Sequence, residues 1–374
     1  MAECMAAVVT KYNAPLELWR VPVKEDLEPN SALAKVEAAT LCGTDAHRWQ
    51  GHLTEGGGAD LPFIEPVTTP FVPGHETCCT IVEMRGNLFD LLNQPLKVGD
   101  RVICSYPHCG HCYYCTVTRQ TTLCSKNISF GHSLPKDLLG GCAEYHYYPP
   151  RGSFVRIPEE VSSALAASAA CALRTVMHGY EHLGPIVSHE NLLVLGSGPL
   201  GLYSLAVAKD LGVKRVLMIG APDARLKVAK EWGADAVLNL DQISNLKDRH
   251  QWVLDHTEGR GADVVFQCAN SRALPEALQM CRPGARLINI GVSGGPAIEF
   301  NPMMFFKQVR ISSVVMAEAR HFHQAIDFLA TRRKQFKFDQ ILSGTYTLDK
   351  TGEALKAMAE YREVKPVIVP KIAA

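Results

Sequence analysis

The 374-residue sequence predicts an α/β fold, in which a doubly wound parallel sheet follows a mainly β, loop-rich segment. Three observations predict it. From Asn191 onward, short apolar runs recur at 192–195, 216–219, 264–266, 287–290 and 311–315. Between most of them lie stretches of helical periodicity, at 200–211, 226–232 and 273–280. Up to about Ile157 the texture differs, with frequent Pro and Gly and short alternating runs such as Ala34-Lys35-Val36-Glu37-Ala38.

Each element has a physical reason. Alternation in the first part suits irregular β structure joined by long loops. The Gly56–Gly58 run, with prolines at 62, 66, 70 and 73, marks a loop between two motif-bearing segments. In the second part, apolar strands alternating with helices are the pattern of a parallel sheet covered on both faces. After about Met316 a helix is expected at 322–332, then short strands ending at Val367–Val369.

Composition narrows the function. A chain this long suggests two domains, and 47% hydrophobic residues suit a substantial buried interior. With 38 basic and 38 acidic residues, the formal charge is zero, so neither nucleic acid nor membrane is expected as a partner. No apolar stretch approaches the roughly 18–20 residues needed to span a bilayer. Met1-Ala2-Glu3-Cys4-Met5 does not read as a secretory signal, and a cytoplasmic protein is expected. Thirteen cysteines in a reducing compartment point to metal sites rather than disulfides. Six fall into two sets; Cys4, Cys78, Cys79, Cys104, Cys142, Cys268 and Cys281 are expected to be inert thiols.

Gly196-Ser197-Gly198-Pro199-Leu200-Gly201 follows the 192–195 strand and opens a helix. Glycines there let the backbone turn tightly and approach a pyrophosphate, whose charge the helix N-terminus favours. In this strand–turn–helix context the motif predicts a Rossmann dinucleotide site. Gly291 and Val292, after the 287–290 run, join the cofactor-binding set. The end of the second strand, where an acid usually holds the adenosine ribose, carries Gly220. A 2′-phosphate would meet no repulsion there, and Arg225 could pair with it. Asp223 keeps NAD possible, so the expectation is NAD or NADP, leaning to NADP.

Cys109, Cys112, Cys115 and Cys124 place four thiols within sixteen residues. Four thiolates close the tetrahedral shell of a structural zinc. His108 and His111, interleaved with them, are read as surface residues of the lobe. The second set is dispersed: Cys42 with Thr44, Asp45 and His47, then His75 and Glu76, then Cys171. Two thiolates and an imidazole leave a fourth position open, as a catalytic zinc requires.

With these motifs in this order, the chain resembles the zinc-containing medium-chain alcohol dehydrogenases along essentially its full length. The resemblance implies a GroES-like catalytic domain at 1–172, with the four-cysteine lobe near 104–126. It implies a Rossmann domain at 173–316 and a return to the catalytic domain at 317–374. Cys42, His75 and Cys171 would hold catalytic zinc. Glu76 would stand behind the metal or ligate it transiently, and Asp45 would accept the other N–H of His75. Thr44 and His47 match the proton-relay positions, with the nicotinamide ribose hydroxyl between them. Trp49 matches a position lining the alcohol pocket, and Lys365 one near the pyrophosphate. The implied reaction is reversible hydride transfer between a small alcohol and NAD(P), with two zincs per chain.

Departures from the family pattern bear on substrate and lobe. Nine positions separate Cys115 from Cys124 where eight is usual, so a bulged final loop is expected. The 56–69 insertion bears on substrate class, and Cys171 argues against the polyol branch, which often uses Glu there. Alternatives are a reductase working from the carbonyl, a non-catalytic nucleotide-binding relative, and a zinc-free reductase. Thr44 and His47 disfavour the second, and the three ligands disfavour the third. Pairing of the edge strand near 311–315 across a two-fold axis would give a homodimer, and homotetramers also occur in the family.

Overall fold

The computed structural model describes residues 2–52, 66–291 and 298–372. The chain separates into two units: residues 1–174, 316–333 and 341–374 form one, and 175–315 with 334–340 the other. Most of the 56–69 insertion, and Val292, lie outside the described residues.

In the second unit six strands form one parallel sheet. Their spatial order is Ala236–Asn239, Arg215–Gly220, Asn191–Leu195, Ala262–Gln267, Cys281–Asn289 and Arg310–Ser313. Counted from Asn191, this is the doubly wound dinucleotide-binding order, reversing between the first and fourth strands. Asn191–Leu195 and Ala262–Gln267 are buried at every residue, which is why they read as unbroken apolar runs. The helix Pro199–Asp210 starts on a proline at its first turn and is buried from Gly201 to Ala208. Gly212, at φ +74°, takes the left-handed turn just past its end.

Among the elements of this unit that were not expected are a strand and a helix whose sequences are informative. The strand Ala236–Asn239 is four residues long, and the helix Leu246–His256 buries only Val253. Neither leaves an apolar period to read. The strand expected at 287–290 begins at Cys281, because Arg282-Pro283-Gly284 is carried within it. Residues 334–340 join this unit through Phe336 and Phe338, which pack on Trp232, whose indole N–H donates to Gln340 at 2.8 Å.

The first unit is built on a seven-stranded sheet. Its order is Thr345–Thr347, Val367–Val369, Ser31–Thr40, Glu76–Arg85, Arg101–Cys104 and Phe154–Arg156, with Tyr145–Tyr148 also pairing Ser31–Thr40. In Ser31–Thr40 only Lys35 and Glu37 face solvent, which is the alternation visible in the sequence. The register decides the rest. Thr40 lies opposite Glu76 in one antiparallel pair and opposite Val367 in another. Cys42, His75 and Lys365, each a residue or two beyond its strand, are thereby brought to one end of the sheet.

Candidate active site

Four donor atoms, one each from Cys42, His75, Glu76 and Cys171, lie within 4.8 Å of one another. Cys42 is the N-cap of the short helix Gly43–Trp49, and its N–H donates to Asp45 at 2.9 Å. Cys171 sits on a π-helical turn, Ala169–Leu173, between two α-helices. Such turns are frequent at functional sites because they re-aim a side chain without ending the helix. Asp45 is fully buried. One of its oxygens takes the Cys42 N–H; the other accepts from Gly74 at 3.2 Å and His75 Nδ1 at 3.0 Å. One carboxylate therefore fixes two ligand segments and leaves His75 Nε2 free to ligate.

Electrostatics follow from this packing. Burial alone would push the His75 imidazole down, but Asp45 beside it holds it well above the usual histidine range. The Cys171 thiol and the Lys365 ammonium hold Cys42 well below the usual thiol range. Cys171 is driven up by the neighbouring Cys42 sulfur and by burial. Two thiols that cannot both ionise without a cation between them, beside an imidazole, are a donor set that fits zinc.

Glu76 is fully buried. Its oxygens receive the Lys365 ammonium at 2.6 and 2.7 Å and the Thr40 hydroxyl, and Oε1 lies 4.0 Å from His75 Nε2. Burial raises its pKa to about 7 against the pull of Lys365. Lys365 has its side chain 1% exposed and paired with Glu76, to which the Val367–Thr40 register delivers it. The Trp49 indole enters the core of this unit and donates to the carbonyl of Ala14 at 2.8 Å.

Thr44 places its hydroxyl 3.9 Å from Cys42 Sγ. His47 is half-buried, with its pKa lowered by that burial and by His52, whose Nδ1 lies 3.4 Å from its own. His52 was missed in the sequence. Five residues from His47, it follows the helix end and carries no motif.

The four-cysteine lobe is equally well gathered. Cys112 and Cys115 sulfurs are 3.5 Å apart, Cys109 and Cys115 3.9 Å, and all four lie within 4.8 Å. Tetrahedral zinc–thiolate bonds require sulfurs about 3.8 Å apart. Backbone N–H groups of Cys109 and Lys126 donate to Cys124 Sγ at 3.5 and 3.4 Å. Between Cys115 and Cys124, Arg119 adopts a left-handed conformation and Thr121–Leu123 forms a 3-10 turn. His111 is exposed, its Nδ1 2.8 Å from the Cys109 carbonyl, and His108 is half-buried; neither belongs to the cluster. Of the seven isolated cysteines, all but Cys268 are buried, and burial raises the thiol pKa of every one.

In the second unit, the turn after Asn191–Leu195 has the shape of a phosphate cradle. Gly196, at φ +103°, passes so close to Cys268 and Ala269 that a Cβ would lie 2.9 Å from a backbone nitrogen. A Cβ on Gly201 would strike the Gly196 carbonyl at 1.8 Å, so the helix can seat on the strand only with glycine there. Gly198 is the opposite case: nothing lies within 4 Å of its Cβ position, and no side chain caps the helix it opens. Open space over uncapped N–H groups at a helix N-terminus is where a pyrophosphate fits. Pro199 and Leu200 form that first turn. Gly220 has no room for an acid, since a Cβ would meet Ser197 Oγ at 2.5 Å while that hydroxyl donates to Ala221. Asp223 is engaged by Asn239 at 2.7 Å, and Arg225 is half-buried. Gly291 packs against the Ala269 carbonyl, 1.6 Å from a would-be Cβ.

Comparison with known proteins agrees with this geometry. The alcohol dehydrogenase GroES-like domain matches residues 28–159, and the zinc-binding dehydrogenase domain matches 199–331. The L-threonine 3-dehydrogenase of Pyrococcus horikoshii is 31% identical over 99% of this chain and 100% of its own. The chain belongs to the zinc-dependent medium-chain dehydrogenase family. As a member it is an oxidoreductase coupling an alcohol and its carbonyl to a nicotinamide cofactor. An alcohol dehydrogenase of Geobacillus stearothermophilus is 30% identical over 87% of this chain and 88% of its own. The crystal structure of an alcohol dehydrogenase from Thermotoga maritima superposes with a TM-score of 0.88 at 26% identity. It covers 99% of this chain and 100% of that one. The predicted fold, a Rossmann sheet with a GroES-like domain, is thus confirmed for this dehydrogenase. Among its described residues no helix is long and apolar enough to cross a membrane.

Proposed function

We propose that this dehydrogenase interconverts a small alcohol and its carbonyl at a zinc held by Cys42, His75 and Cys171. The convergence of their donor atoms carries the reading. Bound zinc supplies Lewis-acid polarisation of the reacting oxygen, and the nicotinamide supplies the hydride chemistry. The chain's own residues position both. Asp45 orients the His75 ring, and Lys365 holds Glu76 away from permanent ligation. Gly198 and the first turn of Pro199–Asp210 receive the pyrophosphate. A second zinc, structural, belongs to Cys109, Cys112, Cys115 and Cys124. We read the first unit as the catalytic domain and the second as the cofactor domain.

Proton transfer falls to Thr44 and His47. Thr44 Oγ1, beside the ligand cluster, would accept the alcohol proton while its own hydroxyl proton passes on, by way of the nicotinamide ribose hydroxyl, to the unprotonated ring nitrogen of His47. His47, its pKa lowered, is neutral at pH 7 and holds a proton at a ring nitrogen, with exposed His52 between it and solvent. Thr44→Val is expected to lower kcat on the order of 10²–10⁴-fold, and His47→Gln on the order of 10–100-fold. Alcohol oxidation should decline at acid pH, below the ordinary histidine range, where His47 with its lowered pKa gains its proton, and His47→Gln should lack that decline. Full activity in Thr44→Val, or an unchanged pH profile in His47→Gln, would remove the relay.

Gly220 and Arg225 favour NADP, because a 2′-phosphate meets a cation and no carboxylate at the strand end. The kcat/KM for NADP⁺ should exceed that for NAD⁺ by about tenfold or more, as one charged hydrogen bond provides. A ratio below one would overturn the preference. Carbonyl reduction uses the same site in reverse. Thirteen cysteines with no disulfide suit a reducing compartment such as the cytoplasm. The edge strand Arg310–Ser313, with Phe305, Phe306 and Ile311 exposed nearby, is proposed to pair across a two-fold axis into a homodimer, from which a tetramer could be built. A monomer in sedimentation equilibrium would contradict it.

A further inference from the structure

Three residues after Cys171 the first unit buries another cation, and among the described residues no carboxylate pairs with it. Arg174 is 2% exposed. Its Nε donates to the Ala170 carbonyl at 2.6 Å, folding the side chain back along the π-helical turn that carries Cys171. The guanidinium carbon lies 4.9 Å from the centre of the Phe322 ring and 5.4 Å from that of Tyr106. Nη1 is buried with no hydrogen-bond partner. Among the described residues no carboxylate pairs with Arg174, whereas Lys365, the neighbouring buried cation, is neutralised by Glu76.

Aromatic faces attract a guanidinium, but they do nothing for the N–H groups at its edge. A buried arginine with a terminal nitrogen that lacks an acceptor, as Nη1 does here, is costly to keep unless something else supplies one. The planar fork that remains after Nε is used matches the two oxygens of a carboxylate or phosphate. Its place in the unit indicates the source. Arg174 is tied to the cluster through the turn of Cys171, onto which its side chain folds back.

We propose that Arg174 receives an oxyanion carried by the substrate, so that the enzyme acts on alcohols bearing a carboxylate or phosphate rather than on plain alkanols. The proposal rests on the dehydrogenase reading above and narrows its substrate class. The oxyanion takes no part in the redox step; it positions the carbinol carbon.

The test uses the full-length, zinc-loaded protein. Hydroxypropanoate and hydroxybutanoate, each with a terminal hydroxyl, are compared by kcat/KM with propanol and butanol, and glycerol phosphate with glycerol. At least one charged substrate should exceed its neutral partner about 10–100-fold, the worth of a charged hydrogen bond. The ratio should fall to near one in Arg174→Met and remain intermediate in Arg174→Lys, which keeps the charge and loses the fork. Which arm shows the preference distinguishes carboxylate from phosphate. Turnover of the neutral alcohols with no preference in the native protein overturns the proposal and leaves the dehydrogenase reading standing. Calorimetry with acetate and with inorganic phosphate gives a readout independent of turnover. Binding to the native protein that is lost in Arg174→Met supports the site; no binding, or equal binding to both, rejects it. Should Arg174→Met fail to fold, an Arg174→Lys ratio equal to the native one rejects it as well.

Discussion

Cys171→Ala is expected to lower alcohol oxidation by about 10³-fold or more, the worth of several kcal/mol of metal stabilisation in the transition state. The variant leaves Cys42 and His75, and Glu76 cannot take the vacated place while Lys365 and Thr40 hold its oxygens. Zinc should be lost from this site and kept in the four-cysteine lobe. The second unit should be untouched, because its core is its own, built on Leu193, Leu195, Leu217, Ile219 and Val265. NADPH binding measured by fluorescence should therefore match the native protein while turnover disappears. Cys42→Ala should behave alike. A variant with native zinc content and native turnover would show that the cluster is not the catalytic centre.

The second large effect is on stability. Lys365→Met leaves the buried Glu76 carboxylate with the Thr40 hydroxyl as its remaining hydrogen-bond donor, and breaking a buried ion pair on one side costs about 3–5 kcal/mol. The cost arises from the orphaned charge, so it should fall sharply when both partners are replaced. In a double-mutant cycle, Lys365→Met with Glu76→Gln should be more stable than Lys365→Met alone. Thermal melting of the native, single and double variants checks this, with zinc content followed in each. Equal melting of Lys365→Met and the native protein would mean the pair carries no such energy.

These two residues also show where sequence reading succeeds and where it stops. The residues of the donor cluster were legible because each sits in a local pattern whose chemistry is plain: a thiol before Thr44-Asp45, an imidazole after Gly74, a thiol in an alanine-rich turn. The glycine turn was legible because strand, turn and helix are contiguous. What brings Cys42, His75 and Lys365 together is strand register, and Val367 pairs with Thr40 across more than three hundred residues. No local pattern records that, so Lys365 was read as a pyrophosphate residue and not as the partner of Glu76. Arg174 was passed over for a similar reason. In sequence it is one cation at the start of a helix, and its burial is decided by Tyr106 and Phe322 from two distant segments. Gly220 was legible as a missing acid, but its cause, the side chain of Ser197, appears only in three dimensions. The polar helix Leu246–His256 left nothing to see, since its one buried residue makes no period.

The most direct test of the account is zinc content per chain by elemental analysis, before and after dialysis against a chelator, with alcohol turnover followed in parallel. The account predicts two zincs falling to one, turnover lost with the first, and both restored when zinc is returned. Turnover that persists after that zinc has gone, or a native protein holding a single chelator-resistant zinc, would contradict it.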